Sequence, residues 1–139
     1  MQEKHPNSPA PFRFSLDLRS GVPVYRQIID QVQAGVATGA LAAGHQLPTV
    51  RQLAVDLAIN PNTVLRAYRE MEIRGVLETQ QGTGTFISYR QPKPDDAERQ
   101  RQLDQLVTEF VARVGAAGFT LQDVTELLFD RYPKLGKRR

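Results

Sequence analysis

Apolar residues fall at Tyr25, Ile28, Ile29, Val32 and Val36, the i, i+3, i+4, i+7, i+11 spacing that lines one face of a helix. Pro23 suits the first turn of that helix, where its missing N–H has no intrahelical partner, and Gly39 lies near the end. After the turn GALAAGHQLP, Thr49 stands as an N-cap, and Val50, Leu53, Ala54 and Leu57 repeat the stripe over about two to three turns. A break at Ala58–Ile59 leads to Asn60, another good cap, and to Pro61 at the first position of a third helix. The inward face there is Val64, Ala67, Tyr68 and Met71, with Gly75 placed for a left-handed C-terminal cap. Two helices joined by so tight a turn predict a helix-turn-helix hairpin.

The period then changes. VLET and TFIS are short β-prone runs joined by QQGTG, whose glycines permit the tight tip of a hairpin, so a wing is expected after the third helix. RQPKPDDAE has two prolines, mixed charge and no large apolar residue, and reads as a linker. Beyond it, Leu103, Leu106, Val107, Phe110, Val111 and Val114 form a broad apolar stripe over roughly three turns. Thr120 caps a last helix with Leu121, Val124, Leu127, Leu128 and Tyr132 on its apolar face before Pro133 stops it. The closing KLGKRR is basic and without periodicity, and is expected to be frayed and solvated.

This pattern predicts a mainly α fold with a small β-hairpin: a winged helix-turn-helix followed by a two-helix C-terminal dimerisation element. Residues 1–20 read as a disordered or extended leader, 21–90 as the winged domain, and 91–139 as linker and helical tail. The polar, proline-rich start MQEKHPNSPAPFRF lacks the apolar stretch of a secretory signal, so the expected location is the cytoplasm. At 139 residues there is no room for a large catalytic body. No apolar run approaches the ~18 residues of a membrane span, so a soluble protein with no membrane partner is expected.

A net charge of +3 is a weak hint of an anionic partner, and its distribution says more. Residues 20–90 carry six Lys/Arg against five Asp/Glu, yet Leu57 to Arg69 contains no acid, and Thr79 to Tyr89 no charge of either sign. A DNA-facing surface is therefore to be sought on the third helix and the hairpin.

The absence of cysteine excludes disulfides, thiol nucleophiles and cysteine-based zinc sites. His5 and His45 are the only histidines, which argues against a metal site, and His45 reads as a loop residue. GTGTF sits in a hairpin with no phosphate-binding helix after it, and no nucleophile elbow or Ser, His, Asp triad appears. Neither enzyme activity nor a cofactor is expected.

The blocks LPTVRQLA, NPNTVLRAYREME, RGVLE and GTGTF, in this order and spacing over residues 23–88, resemble the DNA-binding domain of the GntR family of bacterial transcription regulators. The short two-helix tail looks like the YtrA subfamily. Ala43 and Thr49 stand where the family pattern usually has proline and serine, and Thr49 keeps the capping hydroxyl. The resemblance implies a DNA-contacting arginine at Arg51, whose alternative is a surface salt bridge to Asp56 or Glu70.

In a helix-turn-helix the second helix enters the major groove by its N-terminal turns. That points to Asn60, Pro61, Asn62, Thr63 and Arg66, with Thr49 and Arg51 at the start of the preceding helix. Asn62 offers a donor and an acceptor to an adenine edge, and Thr63 a donor to phosphate or a methyl to thymine. The blander alternative is an ordinary solvated first turn. Arg66 and Arg69 both lie opposite the apolar face, and Arg66 is the better placed of the two. At the wing tip, Gln81, Gly82, Thr83 and Gly84 are small enough to approach a minor groove. Tyr68, Met71 and Phe86 fall in phase with the core and are read as packing residues rather than base-stacking platforms.

The function expected is a sequence-specific, double-stranded-DNA-binding transcription regulator, a repressor acting as a homodimer on an inverted-repeat operator. The rival reading, a winged-helix module for protein contact, sits poorly with the acid-free Asn/Thr/Arg face. The dimerisation residues expected are Leu103, Leu106, Val107, Phe110, Val111, Val114, Leu121, Val124 and Leu128, too apolar to stay exposed. The alternative is that these helices fold back on the winged domain. Two tail helices do not enclose a small-molecule pocket within one chain; an effector site between subunits stays open, and its ligand is unknown.

Overall fold

The computed structural model describes residues 12–89 and 95–136. Its elements are α1 (Val24–Thr38), β1 (Gln46–Leu47), α2 (Val50–Leu57), α3 (Pro61–Ile73), β2 (Leu77–Gln80), β3 (Gly84–Ile87), α4 (Asp96–Ala116) and α5 (Leu121–Arg131). The chain divides into two compact units, residues 1–91 and residues 92–139.

In the first unit the helical stripes converge on one core. Ile28, Ile29, Val32, Leu53, Ala54, Val64, Ala67, Tyr68 and Met71 are buried together with Leu41, Leu47, Leu77 and Ile87. Thr49 caps α2 by accepting from the Gln52 N–H at 3.1 Å, and Asn60 caps α3 by accepting from the Asn62 N–H at 2.8 Å. Between these helices Ala58 takes φ 54°, the one left-handed non-glycine residue among the described residues, which lets α3 start with only three residues between it and α2. The Tyr68 hydroxyl donates to the Pro48 carbonyl at 2.6 Å and so ties α3 to the entrance of α2. Burial pushes that phenol well above its ordinary pKa.

The hairpin of β2 and β3 runs in register from Leu77 opposite Ile87 to Gln80 opposite Gly84. A third strand, β1, pairs antiparallel with the other edge of β3, giving the order β1-β3-β2. Sequence reading treated this segment as a turn, because a two-residue strand is too short to show alternation. Phe86, expected in the core, is only half-buried: Ile87 faces inward, so its neighbour on the strand must face the other way.

Part of the leader is tied to the winged domain. Residues 12–17 form no helix or strand, yet side chains at both ends of the segment hold it to the first unit. Phe12 and Phe14 meet edge to face with centroids 5.0 Å apart and pack on the core. Gln31 accepts from the Ser15 N–H at 2.9 Å and donates to its carbonyl at 2.7 Å, while Gln27 does the same for Asp17 at 2.8 and 2.9 Å. Two glutamines one helical turn apart thus hold the backbone that two alternating aromatics press down. A Cβ on Gly35 would come within 2.8 Å of the Leu41 and Phe12 side chains, so any larger residue there would have to displace both. Residues 1–11 of the expected leader lie outside the described residues.

The second unit is a helical hairpin. Of the expected linker, residues 90–94 lie outside the described residues, but Asp95 is the N-cap position of α4, and Asp96, Ala97 and Glu98 are already helical. Acidic side chains in the first turn favour this end of the helix dipole. The helix is therefore 21 residues long, about twice the three turns that its apolar stripe implied. In α5, Thr120 accepts from the Asp123 N–H at 3.2 Å and the Asp123 carboxylate accepts from the Thr120 N–H at 2.8 Å, a reciprocal capping box. The Thr120 N–H, with the Thr120 hydroxyl donating to the same oxygen at 3.0 Å, holds the Asp123 carboxyl below its usual range. No residue of α4 or α5 is buried. Lys134 to Gly136 form a turn after Pro133, and residues 137–139 of the basic end lie outside the described residues. No described helix is long and apolar enough to cross a membrane.

Candidate nucleic-acid interface

Because Val64, Ala67, Tyr68 and Met71 commit one side of α3 to the core, the opposite side is left to solvent. Pro61, Asn62, Arg66 and Arg69 are exposed there, and Thr63 is half-buried on the flank. Asn60 spends its side-chain oxygen on the cap, and its amide donors meet no acceptor among the described residues. Pro61 brings no N–H to the helix start, and the neighbouring amides at positions 62 and 63 are held by Asn60.

Arg66 is placed by a contact the sequence did not show. Its guanidinium lies 3.8 Å from the centroid of the Tyr25 ring in α1, a cation–π stack that holds it to the α1 side of α3. Arg51 is exposed on the first turn of α2, next to the Thr49 cap, and makes no ion pair among the described residues. The alternative of a bridge to Glu70 is answered by the structure, since Glu70 pairs with Arg74 at 3.1 Å.

The wing tip is Gln81, Gly82 and Thr83, all exposed, with Gly84 half-buried at the start of β3. Gln46 of β1 donates from its Nε2 to the Thr83 carbonyl at 3.1 Å, fixing the tip from beneath. Gly84 has φ 136°, a backbone that demands glycine, and a Cβ there would sit 2.6 Å from that same nitrogen and push the Gln46 amide off the tip. Gln46 and Tyr25 are the supporting residues that sequence reading missed. Neither carries a local signal, for each matters only through a residue far along the chain.

A capped helix whose first nine residues, Pro61 to Arg69, carry no acid, preceded by a short helix across a tight turn and followed by a three-stranded wing, defines the winged helix-turn-helix class. The pattern described as "Bacterial regulatory proteins, gntR family" matches residues 24–87. Over 73 residues the chain is 47% identical to the HTH-type transcriptional repressor YtrA of Bacillus subtilis, a match covering 52% of this chain and 56% of that one. It is 41% identical over 113 residues to the HTH-type transcriptional regulator Rv1152 of Mycobacterium tuberculosis, covering 81% and 88%. Among solved structures, YtrA of Sulfolobus acidocaldarius, a GntR-family transcription factor, superposes with a TM-score of 0.55 at 28% identity, covering 71% of this chain and 97% of that one. The chain belongs to the gntR family of bacterial regulatory proteins and is a DNA-binding transcription regulator of the YtrA type, not an enzyme.

Proposed function

We propose that this protein is a cytoplasmic transcription repressor that binds an inverted-repeat operator as a homodimer. The observation that carries the reading is the acid-free exposed start of α3, where the Asn62 side chain faces outward beside the Asn60 cap with no side-chain hydrogen bond among the described residues. In this reading Asn62 meets a base edge, and Thr63, Arg51 and Arg66 meet base or phosphate beside it. Thr49 and Asn60 present the two helix starts, and Gln81, Gly82, Thr83 and Gly84 approach the minor groove. The name of the Bacillus relative supports repression as the sign of regulation.

The tail supplies the dimer. Leu103, Leu106, Val107, Phe110, Leu121 and Leu128 are exposed, with Leu106 at 64%, and Val111, Val114 and Val124 are half-buried beside them. Covering this face with the same face of a second chain makes an isologous interface, and two-fold symmetry then requires a two-fold operator.

Selection of bound duplexes from a random-sequence library by the full chain tests the proposal. Enrichment of an inverted repeat, with affinity that falls steeply with salt, is the expected result. Enrichment of single asymmetric half-sites at full affinity overturns it. Deleting residues 91–139 should leave a folded monomer with weakened operator binding, and a persistent dimer by light scattering would move the interface into the winged domain.

A further inference from the structure

The middle of α3 carries an apolar side chain that the fold does not use. Leu65 is half-buried, yet it belongs neither to the buried core nor to the partly buried residues packed against it. It lines an open depression on the outer surface of the helix with Asn62, Arg66 and Arg69, and with Glu70 and the exposed Ile73 at the far end from the capped start. Pro61, Leu65 and Arg69 follow at four-residue intervals and form one ridge, with Asn62 beside it. The neighbouring cation is drawn off that ridge, because the Arg66 guanidinium stacks on Tyr25 toward α1. The centre of the ridge is therefore an isobutyl group with no hydrogen-bonding capacity, flanked by an amide and a guanidinium. Among base-pair edges in the major groove, the apolar feature that matches it is the C5-methyl of thymine.

We infer that Leu65 is a base-reading residue whose methyl groups meet the C5-methyl of an operator thymine. The inference rests on the reading that α3 enters the major groove. Removing one methyl-sized apolar contact from water is worth about fourfold in affinity. The contact touches no phosphate, so its effect is independent of salt.

The test uses the full-length protein and the duplex enriched by random-library selection. Each thymine is replaced in turn by deoxyuridine, which removes only the C5-methyl. At one thymine per half-site the replacement should weaken wild-type binding about fourfold. Leu65→Ala should weaken binding to the thymine duplex by a similar factor, abolish sensitivity to deoxyuridine at that position, and leave the salt dependence unchanged. Leu65→Met keeps an apolar side chain of similar reach and should retain the sensitivity, which keeps the measurement readable if the alanine variant melts early. A scan in which every thymine position affects wild-type and Leu65→Ala equally overturns the assignment while leaving the DNA-binding reading intact. Failure to enrich any duplex overturns that reading itself, and this assignment with it.

Discussion

The two units of this chain place their apolar residues at the same helical spacing and use them differently. In the first unit, Ile28, Ile29 and Val32 of α1 meet Val64, Ala67, Tyr68 and Met71 of α3, and the stripes end at or near zero exposure. In the second, Leu103, Leu106, Val107 and Phe110 of α4 and Leu121 and Leu127 of α5 remain more than half exposed. A periodic stripe states that a helix needs a partner and says nothing about where that partner is. Three helices and a small sheet can enclose a core; a hairpin of two helices has no third wall.

Equivalent truncations should separate the two units most strongly. Ile29→Ala removes atoms from a fully buried site and is expected to lower the stability of the first unit by about 2–5 kcal/mol, with a midpoint independent of protein concentration. Phe110→Asp is expected to leave that unit's thermal transition in place and shift the protein to monomer in light scattering. An early-melting Phe110→Asp protein of unchanged mass would break the comparison.

Next in size is Tyr68→Phe. Deleting the hydroxyl leaves the Pro48 carbonyl without its donor, at an expected cost of about 1–3 kcal/mol. The sign of the pH effect follows from the raised phenol pKa. Stability is intact below the ordinary unfolded value of about 10 and declines as pH rises past it, because the unfolded chain ionises first. Denaturant midpoints across that range should fall further for the wild type than for Tyr68→Phe.

The smallest effects concern the caps. Asn60→Ala and Thr120→Ala should each cost about 1 kcal/mol, the former seen in melting of the first unit and the latter in helix content of the tail by circular dichroism. A fall in the first unit's midpoint on Thr120→Ala would show that the two units do not melt independently.

What could be read along the chain was what depends on near neighbours. Thr49, Asn60 and Thr120 cap helices through bonds to backbone groups two or three residues away, so a window of a few residues contains the whole cause. The stripes of α1, α2 and α3 are legible for the same reason, since helical geometry alone puts their members on one face. The exposed side of α3 follows by subtraction, and with it the placement of Asn62 and Arg66.

Tertiary structure decided whatever joins distant positions. Gln46 supports Thr83 from 37 residues away, and Gln31 holds Ser15 from 16. Tyr25 of α1 holds Arg66 of α3, two helices later in the chain. The inward position of β3 is Ile87 and not Phe86, because a four-residue strand fixes its phase by pairing, with β1 on one side and β2 on the other, and not by its own short alternation. Spacing determines which residues share a face; only closure of the chain upon itself determines what that face meets.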